Sequence, residues 1–157
     1  MRKKLNELSN IEHFSHRVNW CGQRYKYISR GSARKVFHYS NTLVIKVVYN
    51  EKGIAQNDAE VDIWRYAFPN QRKVLAAIVD SCPNGTWVLQ KKVHKKLSED
   101  NDKAYNFYMK DKRKVFSSLT TLDLNNGDTI RSLGYSKKGI VLYDYGFTNF
   151  VNRNYYQ

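Results

Sequence analysis

Acidic residues, cysteine, proline and long apolar runs are all scarce in this chain. Only 14 of its 157 residues are Asp or Glu, against 27 Lys and Arg, which leaves a net charge of +13. A field of that sign draws acidic partners, namely nucleotides, nucleic acid or an acidic protein surface. The two cysteines, Cys21 and Cys82, form no CxxC pair. That excludes a zinc ribbon and a disulfide framework, and the thiols are expected to be reduced. His13 and His16 stand three apart, but no further ligand at a matching spacing makes a metal site of them. The longest apolar run is Val74 to Val79, far short of the roughly 18 residues a membrane span needs, so no membrane partner is expected. After the basic Met1-Arg2-Lys3-Lys4, polar Asn6, Glu7 and Asn10 stand where a signal peptide would be apolar. A cytoplasmic protein is therefore expected. Hydrophobic residues still make up 41%, enough to build a core.

The two prolines, Pro69 and Pro83, act as punctuation. Leu5, Leu8, Ile11 and Phe14 recur at i, i+3 and predict one short helix over 3–18. From Arg24 the period becomes two. Strands are predicted over 24–29 and 35–39 around the turn Arg30-Gly31-Ser32-Ala33, and a third over the β-branched run 43–49. A helix is predicted over 54–68, with Val61, Trp64 and Phe68 as its apolar face and Pro69 as its end. Strands 74–82 and 86–93 follow, joined by the turn Pro83-Asn84-Gly85. Beyond Val93, 95–103 has the character of a charged linker and 104–119 of a helix. A polar loop spans 123–128, and 129–133 with 139–143 form a hairpin around 134–138. The expected organisation is α+β. A helical segment covers 1–23, a lobe of five antiparallel strands and one helix covers 24–94, and a reduced helical lobe covers 95–157.

Three groups of residues carry chemistry. Lys46 interrupts the apolar third strand, sharing a face with Val44 and Val48. A buried ammonium needs an anion, and Glu60 in the following helix is the natural one. The small-residue hairpin containing Ser29, Gly31 and Ser32 could let backbone N–H groups approach phosphate. Asp144 ends an apolar strand just before Tyr145-Gly146, and Asp123 and Asp128 lie in the polar loop upstream. Three such carboxylates suit Mg²⁺ held together with phosphates.

In this order and on these elements, the set resembles the protein-kinase-like fold, including its shorter bacterial and phage relatives and the aminoglycoside phosphotransferases. Ser29, Gly31 and Arg34 fall on the three positions of the glycine-rich loop, followed by Val36. Val44-Ile45-Lys46 resembles the VAIK strand, and Glu60 matches the helix-C glutamate. Asp123 to Asp128 matches the spacing of the catalytic loop, and Asp144-Tyr145-Gly146 resembles DFG. The likeness runs from about residue 25 to 147. It departs at Ser29 and Arg34, which replace glycines, at Thr121 where His is usual, and at Asp128 where Asn is usual. Few residues follow Gly146 to form a substrate platform.

The resemblance implies an ATP- and Mg²⁺-dependent phosphotransferase with a protein as acceptor. Lys46, held by Glu60, would neutralise the α- and β-phosphates. Ser29, Gly31 and Ser32 would line the phosphates, and Val36 and Val44 would roof the adenine. Asp128 and Asp144 would hold the metal, and Asp123 would act as base on the acceptor. Two alternatives stand beside it. One is an inactive kinase-like module that engages an acidic protein partner. The other is a nucleic-acid-binding protein, with its densest basic stretch over 91–114. The small size and the Asn-, Lys- and Tyr-rich composition suit a phage protein.

Overall fold

The computed structural model describes residues 2–96, 106–107, 115, 132–137 and 139–157. The helix expected over 104–119 lies almost wholly outside them, as does the loop with Asp123 and Asp128. The chain is α+β and forms two compact units. One comprises Met1–Asp58 and Ile78–Lys91, the other Ala59–Ala77 and Lys92–Gln157.

The first unit is built on a five-stranded antiparallel sheet. Its strands are β1 (Tyr27–Arg30), β2 (Arg34–His38), β3 (Leu43–Val48), β4 (Ile78–Ser81) and β5 (Trp87–Lys91), in the order β1-β2-β3-β5-β4. The central strand is β3, and all six of its residues are buried. A Val- and Ile-rich run suits that place, since β-branched side chains pack well on a pleated sheet covered on both faces. Leu43, Ile45 and Val47 face a core with Phe37, Trp87 and Leu89, closed by Leu5, Leu8, Val18 and Cys21 from the N-terminal helices. The buried Trp87 indole donates to Ser9 Oγ at 2.9 Å.

Instead of one helix over 3–18 there are two, α1 (Arg2–Ser9) and α2 (Phe14–Gly22). The break is stabilised from within. Buried Arg17 turns back to donate from Nη2 to the carbonyls of Ile11 and Glu12, which satisfies backbone acceptors that a continuous helix would have used. Burial lowers the pKa of this guanidinium.

Asn50 starts α3 (Glu51–Tyr66), its Oδ1 accepting from the Gly53 N–H at 3.1 Å, which is the work of an N-cap. The buried face of α3 differs from the one its apolar spacing predicts. Gln56, Asn57, Glu60 and Ile63 are buried, followed by Ala67 beyond the helix end. Val61 and Trp64 are only half-buried and Phe68 is exposed. Pro69 does end α3, but it also opens a single turn, α4 (Pro69–Arg72). There it occupies a first-turn position, where its missing N–H costs nothing.

The strand expected over 74–82 is split. Val74 to Ala76 belong to the second unit, where the Ala76 N–H donates to Leu142 O and the Leu142 N–H to Val74 O, both at 2.8 Å. Only Ile78–Ser81 joins the first sheet. The turn before β5 is as expected, with Gly85 at φ +68°.

In the second unit, β6 (Lys95–Lys96), β7 (Leu133–Ser136) and β8 (Gly139–Leu142) form a three-stranded antiparallel sheet. Lys95 and Lys96 are thus strand, where their charge suggests a linker. Gly134 pairs with Val141 inside the hairpin and does not lie in its turn. Val74, Leu75, Leu133, Val141, Leu142, Tyr145 and Val151 are buried in this unit. The chain then enters α5 (Asn149–Tyr155), where Thr148 Oγ1 accepts from the Val151 N–H at 3.1 Å. No helix of the described residues is long and apolar enough to cross a membrane.

Two glycines on helices should respond oppositely to alanine. A Cβ on Gly53 would meet Ala33 O at 2.5 Å and Val48 Cβ at 2.9 Å, whereas one on Gly22 meets nothing within 4 Å. Gly22→Ala is expected to gain up to about 1 kcal/mol from helix propensity. Gly53→Ala should instead lose about 1–3 kcal/mol through overpacking against backbone. Thermal melts of both variants read the sign directly.

Cys21 predicts the alkaline limit of the fold. Burial pushes its thiol from 9.0 up to about 12, so the folded state keeps the proton longer than the unfolded one. The stabilisation is complete below pH 9 and is lost as pH rises from 9 towards 12. The urea midpoint should fall between about pH 8 and about pH 10.5 in the wild type, and less steeply in Cys21→Ala.

Candidate functional site

The first unit assembles one polar row within its sheet. Ser29 opposes Val36, Val36 opposes Lys46, Lys46 opposes Val88, and Val88 opposes Ser81. Residues directly opposite one another share a face, so Ser29, Val36 and Lys46 lie side by side. Val44, two residues from Lys46, is on the same face. Lys46 is only 4% exposed, so its ammonium sits where Coulomb interactions are strong.

The same face carries a feature that apolar patterning cannot reveal. Arg34 pairs with Val48 in the β2–β3 ladder and is buried. Its Nη1 donates to Asn57 Oδ1 at 3.1 Å, and Asn57 Nδ2 donates to Gly85 O at 2.8 Å. One side-chain amide thus links β2, α3 and the β4–β5 turn. Arg34, expected on the lip of a glycine-rich loop, is an internal strut. The Asn-Asp pair 57–58 beside a buried stripe is the signal for it, once polar residues are counted as core.

The hairpin between β1 and β2 is closed on itself. The Gly31 N–H donates to Arg34 O at 2.9 Å. Tyr49 Oη donates to Gly31 O at 2.7 Å, and Asn50 Nδ2 to Ser32 O at 3.4 Å. Arg30 lies over the Tyr49 ring, its guanidinium carbon 4.6 Å from the centroid, and its hydrogen bond to Tyr49 raises its pKa. Gly31 therefore uses its own N–H within the turn, and the residues after β3 pin the tip.

In the second unit Glu60 and the Asp144-Tyr145-Gly146 triplet come together. Glu60 is fully buried, and its Oε1 accepts from the Tyr145 N–H at 3.2 Å. Tyr145, 1% exposed, donates from its hydroxyl to Ala76 O at 2.7 Å. The alternation along 143–146 turns Asp144 outward, where it is exposed. Burial, and then the charge of Asp144, push the Tyr143 hydroxyl up to about 12. Among the described residues no group of three or more His, Cys, Asp and Glu side chains is arranged to hold a metal ion. Asp123 and Asp128 lie outside those residues.

Tyr145→Phe removes only the hydroxyl that reaches Ala76 O, and is expected to cost about 0.5–1.5 kcal/mol. Tyr145→Ala empties a fully buried site and should cost about 3–5 kcal/mol. Chemical denaturation of the two variants separates the bond from the ring.

No family model matches this chain and no curated protein matches it, and the roles of these side chains rest on their chemistry.

Proposed function

We propose that the chain is a kinase-like protein that binds ATP with Mg²⁺ and transfers phosphate, with a protein as acceptor. The observation that carries this reading is the buried Glu60 carboxylate bonded to the backbone N–H that follows Asp144. It brings the acid of the helix after β3 to the Asp-Tyr-Gly triplet. The buried Lys46 supports it too, because a lysine among valines at the centre of a sheet weakens the fold unless its charge has a task.

On this reading Lys46 binds the α- and β-phosphates. Val36 and Val44 offer the flat apolar strip an adenine needs. Asp144 and Asp128 hold the cation, and Asp123 orients the acceptor hydroxyl and takes its proton. Mg·ATP supplies the phosphoryl group and most of the charge neutralisation, so the protein's part is positioning. A second reading has its own support. With the Gly31 N–H used inside its turn and Arg34 turned inward, the hairpin has the character of a fixed edge, as suits an inactive kinase-like module that engages an acidic protein.

Lys46→Met should melt below the wild type, because removing one buried charge leaves the groups that meet it uncompensated, and should abolish nucleotide binding in calorimetry, whereas Lys46→Arg keeps the charge. Asp144→Asn should weaken only the Mg²⁺-dependent part of binding. Asp123→Asn should keep binding and lower transfer of labelled phosphate by about 10²–10⁴. A wild type that binds no Mg·ATP removes the enzyme reading and leaves the binding module. Binding without any transfer, to itself included, leaves a nucleotide-binding module.

A further inference from the structure

The end of α3 and the turn after it leave two large rings outside the core. Tyr66 is 75% exposed and Phe68 69%, and they flank the buried Ala67. Trp64, close by along the chain, is half-buried. Large rings do not stay in water for stability's sake, and two of them with a third nearby exceed the scattered single residues that any surface carries.

The platform beneath these rings is rigid. The Ala67 N–H donates to Ile63 O at 2.9 Å, and the Arg72 N–H to Phe68 O at 2.9 Å. The Phe68 N–H donates to the side chain of buried Gln71 at 2.7 Å. Rings on a fixed backbone lose little entropy on binding a flat partner.

The charged residues of the segment 64–73 are Arg65, Arg72 and Lys73. Arg72 donates from Nε to Trp64 O at 3.1 Å and from Nη2 to Arg65 O at 2.7 Å. Its guanidinium is thereby held 5.4 Å from the Trp64 ring centroid while remaining exposed. Arg65 and Lys73 are exposed as well. Asp62, just before the segment, stands 3.9 Å from Arg65, a surface pair of little strength. Three exposed cations thus share the segment 64–73 with the rings, on a chain whose net charge is +13.

We propose that the segment Trp64–Lys73 binds single-stranded nucleic acid. Bases stack on Tyr66 and Phe68, and Arg65, Arg72 and Lys73 meet the backbone phosphates. Aromatic rings interleaved with fixed cations are the means by which proteins hold unpaired strands without reading their sequence. A duplex keeps its bases stacked on each other and offers these rings nothing but its ends. An acidic protein surface would use the cations and leave the rings without a flat partner.

The test is fluorescence anisotropy with a labelled oligothymidylate of about twelve nucleotides, a duplex of equal length, and an oligoglutamate peptide, at low salt. The expected result is binding to the single strand in preference to the other two. Tyr66→Ala/Phe68→Ala should lower that affinity about tenfold or more while the slope of affinity against salt is unchanged. Arg65→Ala/Lys73→Ala should flatten the slope by roughly 0.7 for each phosphate no longer neutralised. Photo-crosslinking of wild-type protein to an iodouracil oligonucleotide should mark Tyr66 or Phe68, a readout independent of how the variants fold. The proposal is overturned by an aromatic variant that folds and binds as tightly as wild type. Crosslinks confined to other segments, equal or tighter binding of the duplex or the acidic peptide, or no binding at all would do the same. Self-association of the wild type that the aromatic variant abolishes would also overturn it, and would assign the rings to a second copy of the chain.

Discussion

The side-chain amide of Asn57 holds the first unit together. It accepts from Arg34 on β2 and donates to the backbone of Gly85 in the β4–β5 turn, so three pieces distant in sequence meet on one buried group. A buried amide left half-satisfied is costly, and one satisfied on both ends fixes geometry more narrowly than any apolar contact can. The first turns of α3 lie against the sheet because of it. The close approach of Gly53 to Ala33 O and Val48 follows, since no side chain fits where helix and sheet are drawn so near.

Elements with strong local rules are legible in the sequence. Alternation with β-branched residues marks β1 to β3, and Pro83-Asn84-Gly85 marks a turn that needs a positive φ at Gly85. What local pattern does not carry is which partner a stretch will choose. Residues 74–82 read as extended throughout, but the first part lies beside β8 and the second joins β4 to the large sheet. Extended propensity is common to both, and only tertiary pairing divides them. The face of α3 is hidden for a related reason. Hydrophobic periodicity counts apolar residues, while this helix buries Gln56, Asn57 and Glu60 and leaves the neighbouring Phe68 in water.

The candidate site divides in the same way. Lys46 stands out because a charge in an apolar strand violates the strand's own pattern. Tyr145 carries no such signal. Its burial and its bond to Ala76 O depend on the segment 74–76, whose place no local pattern announces. The spacing of Arg34 from Gly31 suggests a loop residue, yet it lies on the inward face of β2, where its long side chain finds Asn57.

The pairing of 74–76 with β8 bears on how the chain acquires its structure. The bonds of Tyr145 to Ala76 and to Glu60 close loops of 69 and 85 residues, whereas most pairings of the large sheet join neighbours in sequence. Long closures are entropically slow. On a ribosome, α3 and the strand after it emerge well before the triplet that completes their surroundings. The large sheet with its two N-terminal helices can therefore consolidate early, while Ala59–Ala77 waits for the distal hairpin. Synthesis that stalls after β5 would expose a half-clothed helix, and that intermediate is where chaperones would find this protein.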